Sequence, residues 1–254
     1  MPALPNTMPA AIELIRALDE LLDPAAFDDL GPNGLQVPGP ERIEHVVTGV
    51  TAQRALFERA VQERAQLVLV HHGLFWNFAP VGLSPLLAAR LRVLFRHDIA
   101  LAAYHLPLDA HPEVGNNALL ADALGAGGHV PFAGIGRGAT FAEPLPATEL
   151  FARVAAATER EPLVFAAGPP AVRRLAIVSG GGASRLDQAV AEGYDAFLTG
   201  EPREHVLADA REAEIHFIAA GHYATETFGV RRLGDWLAAR FGVEHTWIDI
   251  PNPV

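Results

Sequence analysis

Residues 67–76 read LVLVHHGLFW. Four aliphatic residues run directly into two adjacent histidines, then into a glycine and more apolar bulk. A short, unbroken apolar run is the pattern of a strand buried on both faces, as in a parallel sheet covered by helices. His71 and His72 then stand at the strand's carboxyl end, where Gly73 permits the chain to turn. Burying a polar ring without a partner costs on the order of a few kcal/mol, so these two imidazoles need something to hold. Ligands of open α/β sheets gather beyond the carboxyl ends of the strands, and two neighbouring imidazoles there suit the two ions of a close pair. The plainer alternative is one ring hydrogen-bonded in the core and the other at the surface.

Outward from this strand the chain alternates strands and helices. Upstream, residues 8–22 have helical periodicity, 31–40 (GPNGLQVPGP) read as loop, 44–50 as a strand and 52–65 as a helix. Downstream, a helix near 84–96 precedes the strand IALAAYH at 99–105, and 116–124 is expected to be helical. Glycine-rich sequence over 125–138 leads to a helix around 147–157. From residue 172 the order repeats: a strand and glycine turn (RRLAIVSGGGA), a helix, the strand DAFLTGE, a helix over 203–213, the strand IHFIAA and a long, mostly helical segment.

The repetition can be laid out in register. VVTGVTA (46–52) matches IVSGGGA (177–183), LVLVHH (67–72) matches AFLTGE (196–201), and DIALAAYHLPLD (98–109) parallels EIHFIAAGHYATE (214–226). Both copies end alike, with His105 four residues before Asp109 and His222 four residues before Glu226. The expected fold is α/β: two related lobes with mixed, largely parallel sheets facing a shared metal cleft. Lobe 1 is expected over about 1–130 and lobe 2 over about 131–254, the whole forming a single domain of 254 residues.

Composition narrows the chemistry. The chain is 50% hydrophobic and 19% charged, with a formal charge of −11 at neutral pH, which disfavours a surface that grips nucleic acid through its phosphates. It has no cysteine, so disulfides, thiolate catalysis and zinc–sulfur sites are excluded. The N-terminal sequence has no basic, long apolar leader and no segment reaches the roughly 18 apolar residues of a membrane span, so a cytoplasmic location is expected. VSGGGAS lacks the lysine of a nucleotide phosphate loop, and no GxSxG elbow supports Ser179 or Ser184 as a nucleophile. Phe75, Trp76 and Phe78 are expected to pack in the core rather than to form a lid.

His71, His72, Asp109, His222 and Glu226 together supply three imidazoles and two carboxylates from strand ends. Such a nitrogen and oxygen set suits two divalent ions (iron, manganese, zinc or nickel), with one carboxylate bridging. Taken singly, Asp109 also reads as a loop-capping carboxylate, and His222 with Glu226 as a surface pair. Supporting groups are sought in His105, Glu201 and His205, the first two as proton shuttles and His205 as an outer partner of a metal-binding ring.

At this point the motifs carry a resemblance. NGLQVPGP, VTGVTAQRALFERAV, LVLVHHGLFW, YHLPLDAHPEVGNNALLADALG, DAFLTGEPREH and HFIAAGHYATETFGVRRLGDWL, spanning residues 33–240, resemble the Nif-three-like dinuclear metal-centre family in its short, YbgI-like form, without an inserted middle domain. The resemblance places the family's metal ligands on His71, His72, Asp109, His222 and Glu226. It implies a homohexameric ring with the metal sites opening towards an inner cavity, and the family's usual label, GTP cyclohydrolase type two homologue. The loop NFAPVGLSP after the histidines departs from the family pattern at the rim that would select a substrate. The expected activity is metal-dependent hydrolysis of a nucleotide-like or heterocyclic small molecule. A non-catalytic metal carrier that delivers iron, and a ring associated with DNA repair, are the alternatives.

Overall fold

Leu67–His72 is strand from end to end, so the aliphatic run and both imidazoles belong to one element. The computed structural model describes residues 8–79 and 82–254. The start of the N-terminal segment (residues 1–7) and two positions of the NFAPVGLSP rim, Pro80 and Val81, lie outside the described residues.

The contacts divide the chain into two units. One takes residues up to Leu108 together with Val230–Ile250, and the other takes Asp109–Gly229 and Pro251–Val254. The sequence placed a single lobe boundary near residue 130. In the structure the last strand returns to the first unit, because it pairs there with an inner strand.

The first unit opens with α1 (Ala11–Leu22), then β1 (Gly34–Val37), β2 (His45–Thr51), α2 (Arg54–Gln62), β3 (Leu67–His72), α3 (Pro85–His97) and β4 (Ala100–Ala103). Helix α1 buries Leu14, Ile15, Leu18 and Leu22 at helical spacing, and the Glu13 carboxylate accepts from the Ala10 N–H at 2.8 Å, completing its first turn. Helix α3 starts where Ser84 Oγ accepts the Leu87 N–H and Pro85 presets the first turn. It stops at Asp98, which adopts the left-handed conformation.

A short helix, α4 (Leu106–Ala110), carries the chain into the second unit. There follow α5 (Asn116–Ala123), β5 (Gly127–Phe132), β6 (Gly136–Pro146), α6 (Ala147–Thr158), β7 (Leu163–Phe165), β8 (Ala171–Val178), α7 (Leu186–Ala191), β9 (Ala196–Thr199), α8 (Val206–Glu212), β10 (His216–Ala219), α9 (His222–Thr225) and α10 (Thr227–Phe241). Strand β11 (Glu244–Trp247) ends the sequence of elements in the first unit.

The first sheet has the order β1-β4-β3-β2-β11, with β4, β3, β2 and β11 mutually parallel and β1 antiparallel at the edge. Strand β3 is central, and Leu67, Val68, Leu69 and Val70 are completely buried. Its fringe of side chains packs with Leu56 and Phe57 of α2, Leu91 and Leu94 of α3, and Ile248 beyond β11. The second sheet runs β5-β6-β8-β9-β10-β7, with β8, β9 and β10 parallel and the other pairings antiparallel. Two apolar clusters cover it, one around Leu150, Val154 and Leu175, the other around Phe197, Phe217 and Val206.

The internal repeat is visible in these sheets. β2-α2-β3-α3-β4 and β8-α7-β9-α8-β10 each contribute three consecutive, adjacent, parallel strands. The structure also has strands where the sequence indicated loop or nothing: β1 within 31–40, β5 and β6 across the glycine-rich stretch, then β7 and β11.

Candidate metal centre

In the first unit, β3 delivers both imidazoles. His71 is fully buried and its Nδ1 donates to the Tyr104 carbonyl at 2.9 Å. His72 pairs with Thr51 in the β2–β3 ladder, and its Nδ1 lies 3.3 Å from the Thr51 hydroxyl. Neighbouring strand residues normally face opposite sides, yet at this strand end the two ring centroids are only 4.7 Å apart. A Cβ at Gly73 would displace the amide of Gln36, whose oxygen accepts the Leu74 N–H.

His105 closes the group from the end of β4. Its ring lies 5.1 Å from that of His71 and 5.6 Å from that of His72, with Trp76 edge-on at 5.1 Å. One ring nitrogen from each of His71, His72 and His105 lies within 4.8 Å of the others. His105 Nδ1 donates to Asp29 Oδ1 at 2.7 Å. Burial alone would raise the Asp29 carboxyl, but the His105 ring, the Asn33 amide and the Leu106 N–H outweigh it and hold it at about 2. Phe75 packs against the core. Phe78, in contrast, is 71% exposed and stacks on Trp76; the expected burial fails there because the chain has already left the sheet.

In the second unit, Asp109 sits on α4 with its side chain buried. Its Oδ1 accepts from Asn116 Nδ2 at 2.8 Å and from Ser179 Oγ at 3.0 Å. The neighbouring Asn117 amide donates to the Asp109 carbonyl and accepts the Ser179 N–H. Ser179 thus orients a carboxylate. His222 and Glu226 come from the α9 segment after β10, with His222 Nε2 3.2 Å from Glu226 Oε1. His222 Nδ1 is held by Glu201 Oε1 from the end of β9. Burial pulls the His222 imidazole down, but the Glu226 and Glu201 carboxylates prevail and raise it to about 9. Gly180 has φ +62° and lies against both side chains: a Cβ there would collide with Glu226 Oε1.

Within the first unit the structure therefore gathers His71, His72 and His105, and within the second it pairs His222 with Glu226 and Glu201 and braces Asp109. His205 caps α8 with its side chain 55% exposed, 3.8 Å from Asp209 of the same helix. Sequence reasoning missed Asp29, Asn33, Asn116 and Asn117, and it took Ser179 only as a rejected nucleophile. The adjacent pair Asn116-Asn117 opening a helix was the one available signal.

The donors fit divalent transition ions. They are nitrogen and oxygen only, and in His71, His105 and His222 the Nδ1 is held by an oxygen, as in ligating histidines, which orients the ring.

Comparison with known proteins agrees with the fold. The Duf34/NIF3 (NGG1p interacting factor 3) family profile matches residues 9–253. A Pseudomonas aeruginosa protein named GTP cyclohydrolase 1 type 2 homolog is 48% identical over 248 residues, covering 94% of this chain and 97% of its own. A solved structure described as protein ybgI, of unknown function, superposes with a TM-score of 0.92 at 43% identity, covering 96% of this chain and 100% of its own. The crystal structure of TTHA1606 from Thermus thermophilus follows with a TM-score of 0.90 at 39% identity, covering 96% and 100%.

Proposed function

This chain belongs to the Duf34/NIF3 family, and from that premise we propose that it binds two divalent transition ions and hydrolyses a nucleotide-like or heterocyclic small molecule. The ligands are His71, His72, Asp109, His222 and Glu226. The observation that carries this reading is the bracing of three of these side chains by hydrogen-bond partners of their own. His71 is fixed by the Tyr104 carbonyl, Asp109 by Asn116 and Ser179, and His222 by Glu201. Such outer contacts are what tune and orient ligands at metal sites.

Ions of this class, when bound, lower the pKa of water towards neutrality and polarise a carbonyl or phosphoryl oxygen. The rest is the work of side chains. Glu226, buried and next to Gly180, contributes a carboxylate whose position is set by the glycine's missing Cβ. Glu201 turns one oxygen to His222 Nδ1 and is 40% exposed, so it is the group we assign to carry a proton between the site and solvent. Trp76 and Phe78 stack at 5.6 Å and offer an aromatic surface to a heterocyclic ring.

The relatives' name makes GTP the first compound to try. The location proposed is cytoplasmic; among the described residues no helix is long and apolar enough to cross a membrane. The assembly proposed is a homohexameric ring. Metal analysis of anaerobically purified protein, followed by a metabolite-depletion screen that includes GTP, tests the reading. Glu226→Ala is expected to lose both metal and turnover, and undiminished turnover in the metal-free variant would refute it. Labile, exchangeable metal with no substrate consumed across the screen would favour the carrier.

A further inference from the structure

We propose that the groove between α2 and α3 binds a small organic polyphosphate through Arg54, Arg92 and Arg96. None of the proposed metal ligands lines this groove, so the site is additional to the function proposed above and stands or falls without it.

The two helices pack side by side on one apolar cluster of the first sheet. Between them is an open hollow of about 430 Å³, within the roughly 300–1,000 Å³ of small-molecule sites. Val61, Ala89 and Val93 give it apolar walls. Its charge is arginine on both sides: Arg54 from α2, Arg92 and Arg96 from α3, with His97 beside them. A second hollow of about 300 Å³ shares Val61 and His97 and adds Arg64. The carboxylates lining the two hollows are Glu58 and Asp98. Four guanidiniums thus stand against two acids, on a chain whose formal charge is −11.

For folding alone, these arginines are poorly placed. Arg54 is the first residue of α2, at the end of the helix dipole that repels cations. Its pairing with Glu58 at 2.6 Å offsets this little, because the two side chains are 65% and 48% exposed. Arg92 and Arg96 stand one turn apart on α3, the i, i+4 spacing at which like charges repel. The dipole of α3 favours Arg96 and His97 in its last turn, but Arg92 lies a turn too early to benefit. Neither Arg92 nor Arg96 has a carboxylate partner among the described residues. A phosphate ester reverses each of these costs, since a guanidinium fork holds phosphate oxygens bidentately. Three arginines from two helices suit a run of two or three phosphates, and the apolar walls suit the carbon skeleton that carries it. A nucleic-acid backbone fits less well: a hollow of this size encloses one small molecule, and the net charge repels a long polyanion.

The test titrates GTP, and separately inorganic tripolyphosphate, into the chelator-treated full chain in a calorimeter, so that no metal offers the phosphates an anchor. Both are expected to bind, and to bind more weakly as salt is added. Arg92→Ala with Arg96→Ala is expected to lower either affinity about tenfold or more. The charge-matched pair Arg16→Ala with Arg232→Ala, exposed arginines outside the groove, is expected to leave it unchanged. Hydrogen exchange in the unaltered chain with its metal gives a second readout that needs neither substitution nor chelation. Tripolyphosphate is expected to slow exchange over Arg54–Gln62 and Pro85–His97. No binding at millimolar concentration, equal affinity in the two double variants, or no slowing in either helix overturns the proposal. So does a DNA oligonucleotide that binds the same arginines more tightly than GTP.

Discussion

Gly180 shows how much a single missing methyl controls. It takes φ +62° and leaves the space that Glu226 Oε1 occupies. Alanine there would meet both a strained backbone, costing about 1–2 kcal/mol, and a collision with the carboxylate. Gly180→Ala is expected to lower the melting temperature modestly and the metal content severely, read by thermal melts and metal analysis on one preparation. Asp29 gives a second test, in the metal-free chain. Its folded pKa of about 2 lies below the ordinary 3.8, so its contribution is complete above about pH 4 and disappears as the pH falls to about 2. The difference is worth roughly 2 kcal/mol. Acid titration of stability is expected to flatten in that window in Asp29→Asn. Neither residue was legible in the sequence as part of a site. His71 and His72 end a strand, and Asp109, His222 and Glu226 stand in recognisable motifs on the short helices that follow two others, whereas Asp29 meets His105 across 76 positions and Ser179 meets Asp109 across 70. No local spacing reports such contacts.

The same division runs through the elements. The inner strands β2, β3, β4, β8, β9 and β10 are apolar runs flanked by helices, and the sequence reveals each of them. Of the five strands it did not reveal, β1, β11, β5 and β7 are the four sheet edges, and β6 pairs with one of them. An edge strand has one neighbour and a wet face. β5 (GGHVPF) buries only its last residue, and β11 (EHTW) has no fully buried one, so neither shows an apolar signature. β11 is held by side chains instead. His245 bridges Thr48 of β2 at 2.8 Å and Asp235 of α10 at 2.9 Å, while His45 Nε2 meets Thr246 Oγ1 at 2.8 Å. Burial lowers the His245 pKa; His45 and Arg231 push the same way, and Asp235 opposes them without prevailing. The unfolded chain therefore takes up this proton first, so the clasp is fully stabilising above about pH 6.5 and weakens as the pH falls through the depressed folded value. Hydrogen exchange at Glu244–Trp247 is expected to accelerate on acidification to pH 5, beyond the intrinsic change, while the inner strands stay protected. Equal protection at both pH values would remove this account of the edge.

At the scale of the whole molecule, the internal repeat and the family were legible, and the return of the chain to its first unit was not, because it depends on the pairing of β11 with β2. The proposed ring needs surface to bury. Phe78, Leu83, Leu86 and Phe95 on and before α3 are between 61% and 71% exposed, more large apolar surface than one short stretch of a monomer ordinarily leaves in water. Phe95→Glu is expected to reduce the mass seen by light scattering from a hexamer to smaller species without unfolding the chain. A hexamer that survives it would take α3 out of the contact.

Strand β3 also acts as a ruler. It is locked on both sides by parallel neighbours, with Leu67 opposite Val46 and Ala100, and His72 opposite Thr51. Removing one residue between Leu67 and Val70 would send each histidine to the face the other now occupies. Insertions and deletions are thus barred from these few positions even where a swap of one aliphatic for another is harmless, so the length of this segment, more than its spelling, is what descendants of the chain must inherit.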